Sequence, residues 1–156
     1  MSDGEEVARR ISLALRELRR GASMGLLREQ FLGTGDDALE TGQMDTLDVL
    51  LSAEAWRMGD LADALRVDPS TATRAVERLT RIHLAERRPD PDDGRVVLVR
   101  ATPAGRRRHD EAYGRWSQVL AEILGTFDAR ERTELAAYLE RLVIALDRVV
   151  DATIPR

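Results

Sequence analysis

Apolar residues at Val7, Ile11, Ala14, Leu15, Leu18 and Ala22 share one stripe at helical spacing. The pattern predicts a first helix over 7–22, with its extension as far as Phe31 left open. Gly33-Thr34-Gly35-Asp36-Asp37 then interrupts with turn formers, and Leu39 to Ser52 resumes helical spacing through Met44, Leu47, Leu50 and Leu51. From Gly59 to Ile82 the chain predicts two short helices joined tightly. Leu61, Ala62 and Leu65 form the inner face of the first, and Asp68-Pro69 supplies an N-cap and a first helical residue for the second. On the second helix, Ala72, Ala75, Val76, Leu79 and Ile82 fall within an arc of about 120° at 100° per residue. The opposite arc holds Ser70, Arg74, Glu77, Arg78 and Arg81. That division fits an ordinary solvated face, but three arginines beside the hydroxyls of Ser70, Thr71 and Thr73 also suit base edges and phosphates.

Two short strands are expected next, over 84–88 and 96–99, around the turn-forming Pro89-Asp90-Pro91-Asp92-Asp93-Gly94. The arms carry Arg87, Arg88 and Arg100 and the tip carries Arg95. A helix-turn-helix followed by a basic hairpin is a winged helix. Thr102-Pro103 opens another helix, marked by Tyr113, Trp116, Val119, Leu120, Ile123 and Leu124; Gly125 and Asp128 divide it from a last one. There Leu135, Leu139, Leu142, Leu146 and Val149 repeat as a heptad seam. The first helix and the last two offer more apolar stripe than one small core needs, so a two-fold homodimer is expected. The fold class expected is mainly α with a small β-hairpin wing (α+β). Residues 39–101 form the winged helix-turn-helix domain, and 1–38 with 102–156 form the helical dimerisation region.

Composition changes this picture in two places. With 156 residues, 43% hydrophobic and 33% charged, the chain suits one soluble domain, and no apolar run approaches a membrane span. No cysteine is present, which excludes disulfides and thiolate chemistry and fits a reducing cytoplasm. The net charge of −4 argues against a polyanionic partner, but its distribution reverses that. Residues 1–56 carry −5, residues 57–108 carry +4 and residues 109–156 carry −3, and every basic residue is arginine.

Asp93-Gly94-Arg95, followed after five residues by Ala101-Thr102 and then Pro103-Ala104-Gly105, resembles the wing signature of the MarR family of bacterial transcriptional regulators. The resemblance covers about residues 7–150 in element order and is most specific over 61–105. Ala101 departs from the family's leucine, His83 stands at a common glycine where a left-handed turn is expected, and Gly94 replaces a frequent arginine. The resemblance implies a homodimer on a pseudo-palindromic operator of double-stranded DNA, acting as a repressor. Ser70, Thr71, Thr73 and Arg74 would read bases, Arg78 and Arg81 would hold phosphate, Arg87 would join them from the wing, and Arg95 would enter a minor groove. Asp93 is expected to brace Arg95 by an ion pair; Glu77 can either accept from a cytosine amine or pair within its helix with Arg74 and Arg81, and the intrahelical pair is the favoured expectation. The family also implies a small aromatic or phenolic effector, for which Trp56, Met58, Tyr113 and Trp116 line a candidate region, with Arg16 or Arg20 for a carboxylate. The same tryptophans equally suit plain core packing.

Little in the chain suits an enzyme. His83 and His109 are separated by the wing, and no Ser-His-Asp order, phosphate loop or paired-carboxylate spacing appears. His109, Asp110 and Glu111 diverge by about 100° per residue on a helix and cannot face one metal ion. No cofactor is expected. The competing class is a winged-helix protein-interaction module without DNA binding.

Overall fold

The computed structural model describes residues 3–33 and 38–153. Its order is α1 (Asp3–Arg20), α2 (Ala22–Leu32), α3 (Thr41–Leu51), β1 (Trp56–Arg57), α4 (Met58–Leu65), α5 (Pro69–Arg81), β2 (Ala85–Pro89), β3 (Val97–Ala101), α6 (Pro103–Leu124) and α7 (Ala129–Thr153). The chain divides into two compact units, Met1–Trp116 and Ser117–Arg156. The expected mainly helical fold with a small antiparallel sheet is the one found.

In the first unit the core gathers Leu32, Leu39, Leu47, Leu50, Leu61, Val76, Leu79, Leu84, Val99 and Ala112. Each helix-turn-helix member contributes the inner residues its spacing predicts, with Leu61, Ala62, Ala72, Val76 and Leu79 all buried. Ile82 departs from this: it is 44% exposed. The helix has ended by then, with Ile82 at φ −100°, ψ 15°, so its side chain no longer follows the wheel. His83 takes the left-handed turn at φ 61°. The Leu84 amide returns to Leu79 O and the His83 amide to Thr80 O, the paired bonds of a Schellman stop. Arg66 does the same for α4 at φ 55°, with Val67 N–H bonded to Ala62 O. No glycine announces either stop.

Gly21 separates what reads as one helix into α1 and α2. It takes an extended conformation (ψ 135°), and a Cβ there would lie 2.6 Å from Glu17 O. Gly33 closes α2 at φ 93°; the remainder of the predicted turn, residues 34–37, lies outside the described residues. α3 starts on a capping box in which Glu40 and Gln43 satisfy each other's backbone amides.

The sheet has three strands in the order β1-β3-β2, all antiparallel. The hairpin is as expected, with Ala85 opposite Ala101 and Pro89 opposite Val97. Pro89 is tolerated because β2 lies at the edge and owes no ladder donor on its outer side. β1, two residues long, is an addition; it pairs Trp56 with Val99 and is too short for any alternation to reveal. Thr102 caps α6 through Gly105 N–H at 3.0 Å and donates its hydroxyl to His83 O at 2.8 Å. A Cβ at Gly105 would run into the Leu84 carbonyl, so this glycine lets α6 cross the wing's root closely. That crossing and the half-buried Ala101 hold the junction without the family's leucine.

In the second unit α7 begins on a reciprocal cap between Asp128 and Glu131, and Arg132 Nε donates to Leu124 O and Phe127 O across the connection. Neither α7 nor, in the first unit, α1 carries a buried residue. Along the predicted heptad, Leu135 and Leu142 are half-buried, whereas Leu139, Leu146 and Val149 are more than half exposed. Val7, Ile11, Leu15 and Leu18 on α1 are likewise exposed.

Candidate nucleic-acid interface

α5 presents Ser70, Thr71, Arg74, Glu77, Arg78 and Arg81 to solvent and turns its small apolar side inward. Asp68 organises its first turn. The carboxylate accepts the backbone N–H groups of Ser70 and Thr71 at 2.9 and 3.0 Å and both of their hydroxyls at 2.5 and 2.6 Å. The two hydroxyls, then the Thr71 amide, hold its carboxyl well below the usual carboxylate range. Asp68 was legible as a cap, but its hold on the hydroxyls was not; the signal lay in hydroxyl residues at both the second and third positions after it. Thr73 is only half-exposed, and its hydroxyl donates to Pro69 O at 2.8 Å.

The arginines differ in how far they are already engaged. Arg78 lies 3.6 Å from Glu40 and Arg87 lies 4.0 Å from Glu77, both contacts exposed and weak in water. Glu77 therefore reaches across to the wing, and the intrahelical pairs expected with Arg74 and Arg81 do not form. Helix and hairpin bring oppositely charged side chains closer than the helix alone does. Among the described residues Arg74, Arg81 and Arg95 form no ion pair; Arg74 Nη2 approaches Ser70 Oγ at 3.4 Å.

Arg95 is exposed near the hairpin tip. The expected Asp93–Arg95 ion pair is absent: Asp93 Oδ1 instead accepts the backbone N–H of Arg95 at 3.0 Å, the local turn bond that an aspartate two residues back favours. Lower in the wing, Glu86 takes Arg100 at 2.6 Å and Arg88 at 3.1 Å. Arg100 foremost holds the Glu86 carboxyl below its ordinary value. Arg57 on β1, which the sequence left unassigned, reaches Asp90 at 3.5 Å and ties the sheet edge to the hairpin loop. Among the described residues, the wing's basic side chains thus fall into a neutralised base and a free tip.

The six residues considered for an effector have separate surroundings. Trp56 and Met58 pack against the core, and Trp56 Nε1 is buried without a partner among the described residues. Trp116 meets Phe31 at 5.2 Å between ring centroids, while Arg115 donates to Phe31 O. Tyr113 is 56% exposed beside the His109 ring, and Arg16 and Arg20 are exposed on α1. A cavity of about 250 Å³ lies elsewhere, lined by Gln43, Asp45, Thr46, Thr71, Arg74 and Arg78 among others. His109 bonds Asp48 through Nε2 at 2.6 Å, and among the described residues no cluster could hold a metal ion. No described helix is long and apolar enough to cross a membrane.

Residues 39–97 match the model of the MarR family. The chain is 30% identical over 108 residues to the HTH-type transcriptional repressor NicR of Pseudomonas putida, covering 69% of this chain and 68% of that one. It is 28% identical over 104 residues to the HTH-type transcriptional regulator YdgJ of Bacillus subtilis, a match spanning 67% of this chain and 63% of that relative's length. Among solved structures it is similar to BpsR of Bordetella bronchiseptica, whose DNA binding is described as regulated by 6-hydroxynicotinic acid. That likeness has a TM-score of 0.63 at 27% identity, covering 84% of this chain and 98% of that one.

Proposed function

This chain belongs to the MarR family of transcriptional regulators, and from that premise we propose that it is a homodimeric repressor of double-stranded DNA. The observation that carries this reading is an exposed hydroxyl and arginine face on α5, joined to the wing by the Glu77–Arg87 contact, together with an exposed arginine at the wing tip. Ser70, Thr71, Thr73 and Arg74 would enter the major groove, Arg78, Arg81 and Arg87 would follow the backbone, and Arg95 would reach a minor groove. A two-fold dimer places the two helices on half-sites about 34 Å, or roughly 10 base pairs, apart.

The second copy would cover the exposed apolar stripes of α1 and α7, so that 1–38 and 102–156 serve dimerisation and 39–101 serves DNA. Burying such stripes favours association by roughly 25 cal/mol per Å² of apolar surface removed from water, before the entropic cost of association. An aromatic acid as effector is favoured by the similarity to BpsR and by the tilted Trp116–Phe31 ring pair beside Arg115. Selection of bound fragments from genomic DNA tests the reading. The parent should enrich a two-fold sequence, and Arg74→Ala should relax one base pair per half-site at a cost of about 1–3 kcal/mol. R74A binding operator and random duplex each as tightly as the parent does would remove α5 from the groove.

A further inference from the structure

A hydroxyl that rotates freely can either donate or accept, so it reads little by itself. At the start of α5 that freedom is gone. The Ser70 hydroxyl donates to Asp68 Oδ1 and the Thr71 hydroxyl to Oδ2. An ionised carboxylate only accepts, so both hydroxyl hydrogens point at Asp68. Thr73 spends its hydrogen on the Pro69 carbonyl. What this turn shows outward from its three hydroxyls is lone pairs. Arg74 already approaches Ser70 Oγ, whereas no donor reaches Thr71 Oγ1 among the described residues.

We propose that Asp68 is a positioning residue for specificity, holding Ser70 and Thr71 as acceptor-only groups so that the first turn of α5 selects adenine or cytosine over guanine or thymine. The inference rests on the duplex-binding reading above. In the major groove the base-edge donors are the amines of adenine and cytosine, while guanine O6 and N7 and thymine O4 accept. Each base pair carries one such amine. Thr71 therefore reads which strand bears the amine and is indifferent to A·T against C·G. Phosphate oxygens are acceptors as well, so these hydroxyls cannot anchor the backbone while Asp68 holds them.

Selection from random duplex DNA with the full chain, comparing the parent, Asp68→Asn and Thr71→Val, tests this. Asparagine still caps a helix, but its amide can donate to Thr71 Oγ1 and release that hydroxyl hydrogen outward. Losing the carboxylate charge alters affinity for all sequences alike, so the readout is the base ratio at each half-site position. The parent should favour A or C over G or T at one position by roughly 3- to 10-fold, the range of one hydrogen bond. D68N should reduce that ratio below about twofold or invert it, other positions holding, and T71V should abolish it. Identical ratios in parent and D68N, or a parent preference for G or T at the position that T71V changes, overturns the proposal while leaving DNA binding intact. A parent that enriches no duplex overturns both. Should D68N fail to fold, T71V decides alone: loss of an A/C preference supports the proposal, and an unchanged profile overturns it.

Discussion

Gly105 and Gly114 lie on the same helix, and replacing each by alanine should move stability in opposite directions. At Gly105 the new methyl would collide with the Leu84 carbonyl, lie 3.0 Å from the Leu84 carbonyl carbon and meet Leu47 Cδ2 at 3.3 Å. Backbone on the other side cannot swing away as a side-chain tip can, so α6 or the root of β2 must shift. Overpacking of this kind costs about 1–3 kcal/mol. The helix-propensity gain of Gly→Ala, at most about 1 kcal/mol in a helix interior, is smaller here because Gly105 sits in the first turn. A net loss of about 2 kcal/mol lowers Tm by roughly 4–8 °C for a chain of this size. Gly114 has nothing within 4 Å of its would-be Cβ and is exposed, so alanine there keeps the propensity gain. Its Tm should rise by about 2–4 °C. Thermal unfolding by circular dichroism at one fixed protein concentration reads both, since association shifts Tm by mass action. If G105A melts at or above the parent, the close crossing of α6 over Leu84 is not what that glycine is for.

Leu146→Glu on the exposed stripe of α7 should convert a dimer into a monomer in analytical ultracentrifugation while leaving helical content unchanged; an intact L146E dimer would exclude that stripe from the interface. Asp45 is pushed up from its ordinary value, first by burial and then by Asp48, so its ionisation opposes folding and stability falls as pH rises through its folded pKa. Asp45→Asn should therefore raise Tm at pH 7 more than at pH 3; an equal shift at both would remove the electrostatic cause. Asp68, Glu86 and Asp90 are all held below their ordinary values, the last of these chiefly by the Asp92 backbone amide. Their contribution is present above the unfolded pKa of about 4 and is lost as pH falls through the lower folded values. Acid unfolding monitored from about pH 5 downward should show that loss, and Glu86→Gln should flatten it; an unchanged acid limb in E86Q would show that the Arg100–Glu86 contact contributes nothing.

Most of the fold was legible because its signals are local. The Asp68-Pro69 start of α5, the Thr102-Pro103 start of α6 and the helical stripes each depend on residues a few positions apart, and all reappear in the structure. What escaped depends on distant partners or on backbone conformation. β1 exists because Val99 and Leu98 offer an edge to Trp56 and Arg57, a pairing that a two-residue strand cannot signal. The left-handed stop at Arg66 carries no glycine, and Gly21 reads as a tolerable helix residue until the Glu17 carbonyl is in place. At the candidate interface the exposed residues of α5 were legible from the wheel. Their ion-pair partners were not, because Glu77–Arg87 and Arg78–Glu40 join separate elements.

Salt dependence of operator binding tests the central claim most directly, since arginine–phosphate contact releases counterions in proportion to the phosphates neutralised. Arg74, Arg81 and Arg95 are free of ion pairs among the described residues, and Arg78 and Arg87 hold only weak ones. On the proposed dimer Arg78, Arg81 and Arg87 of each protomer bring about six cations to phosphate and Arg74 and Arg95 in the grooves raise the total to about ten, so log K against log salt should have a slope of about −5 to −9. Arg81→Ala should make that slope shallower by about 2, one phosphate lost from each protomer. A slope between 0 and about −2 in the parent, or an unchanged slope in R81A, would contradict an arginine face seated on DNA.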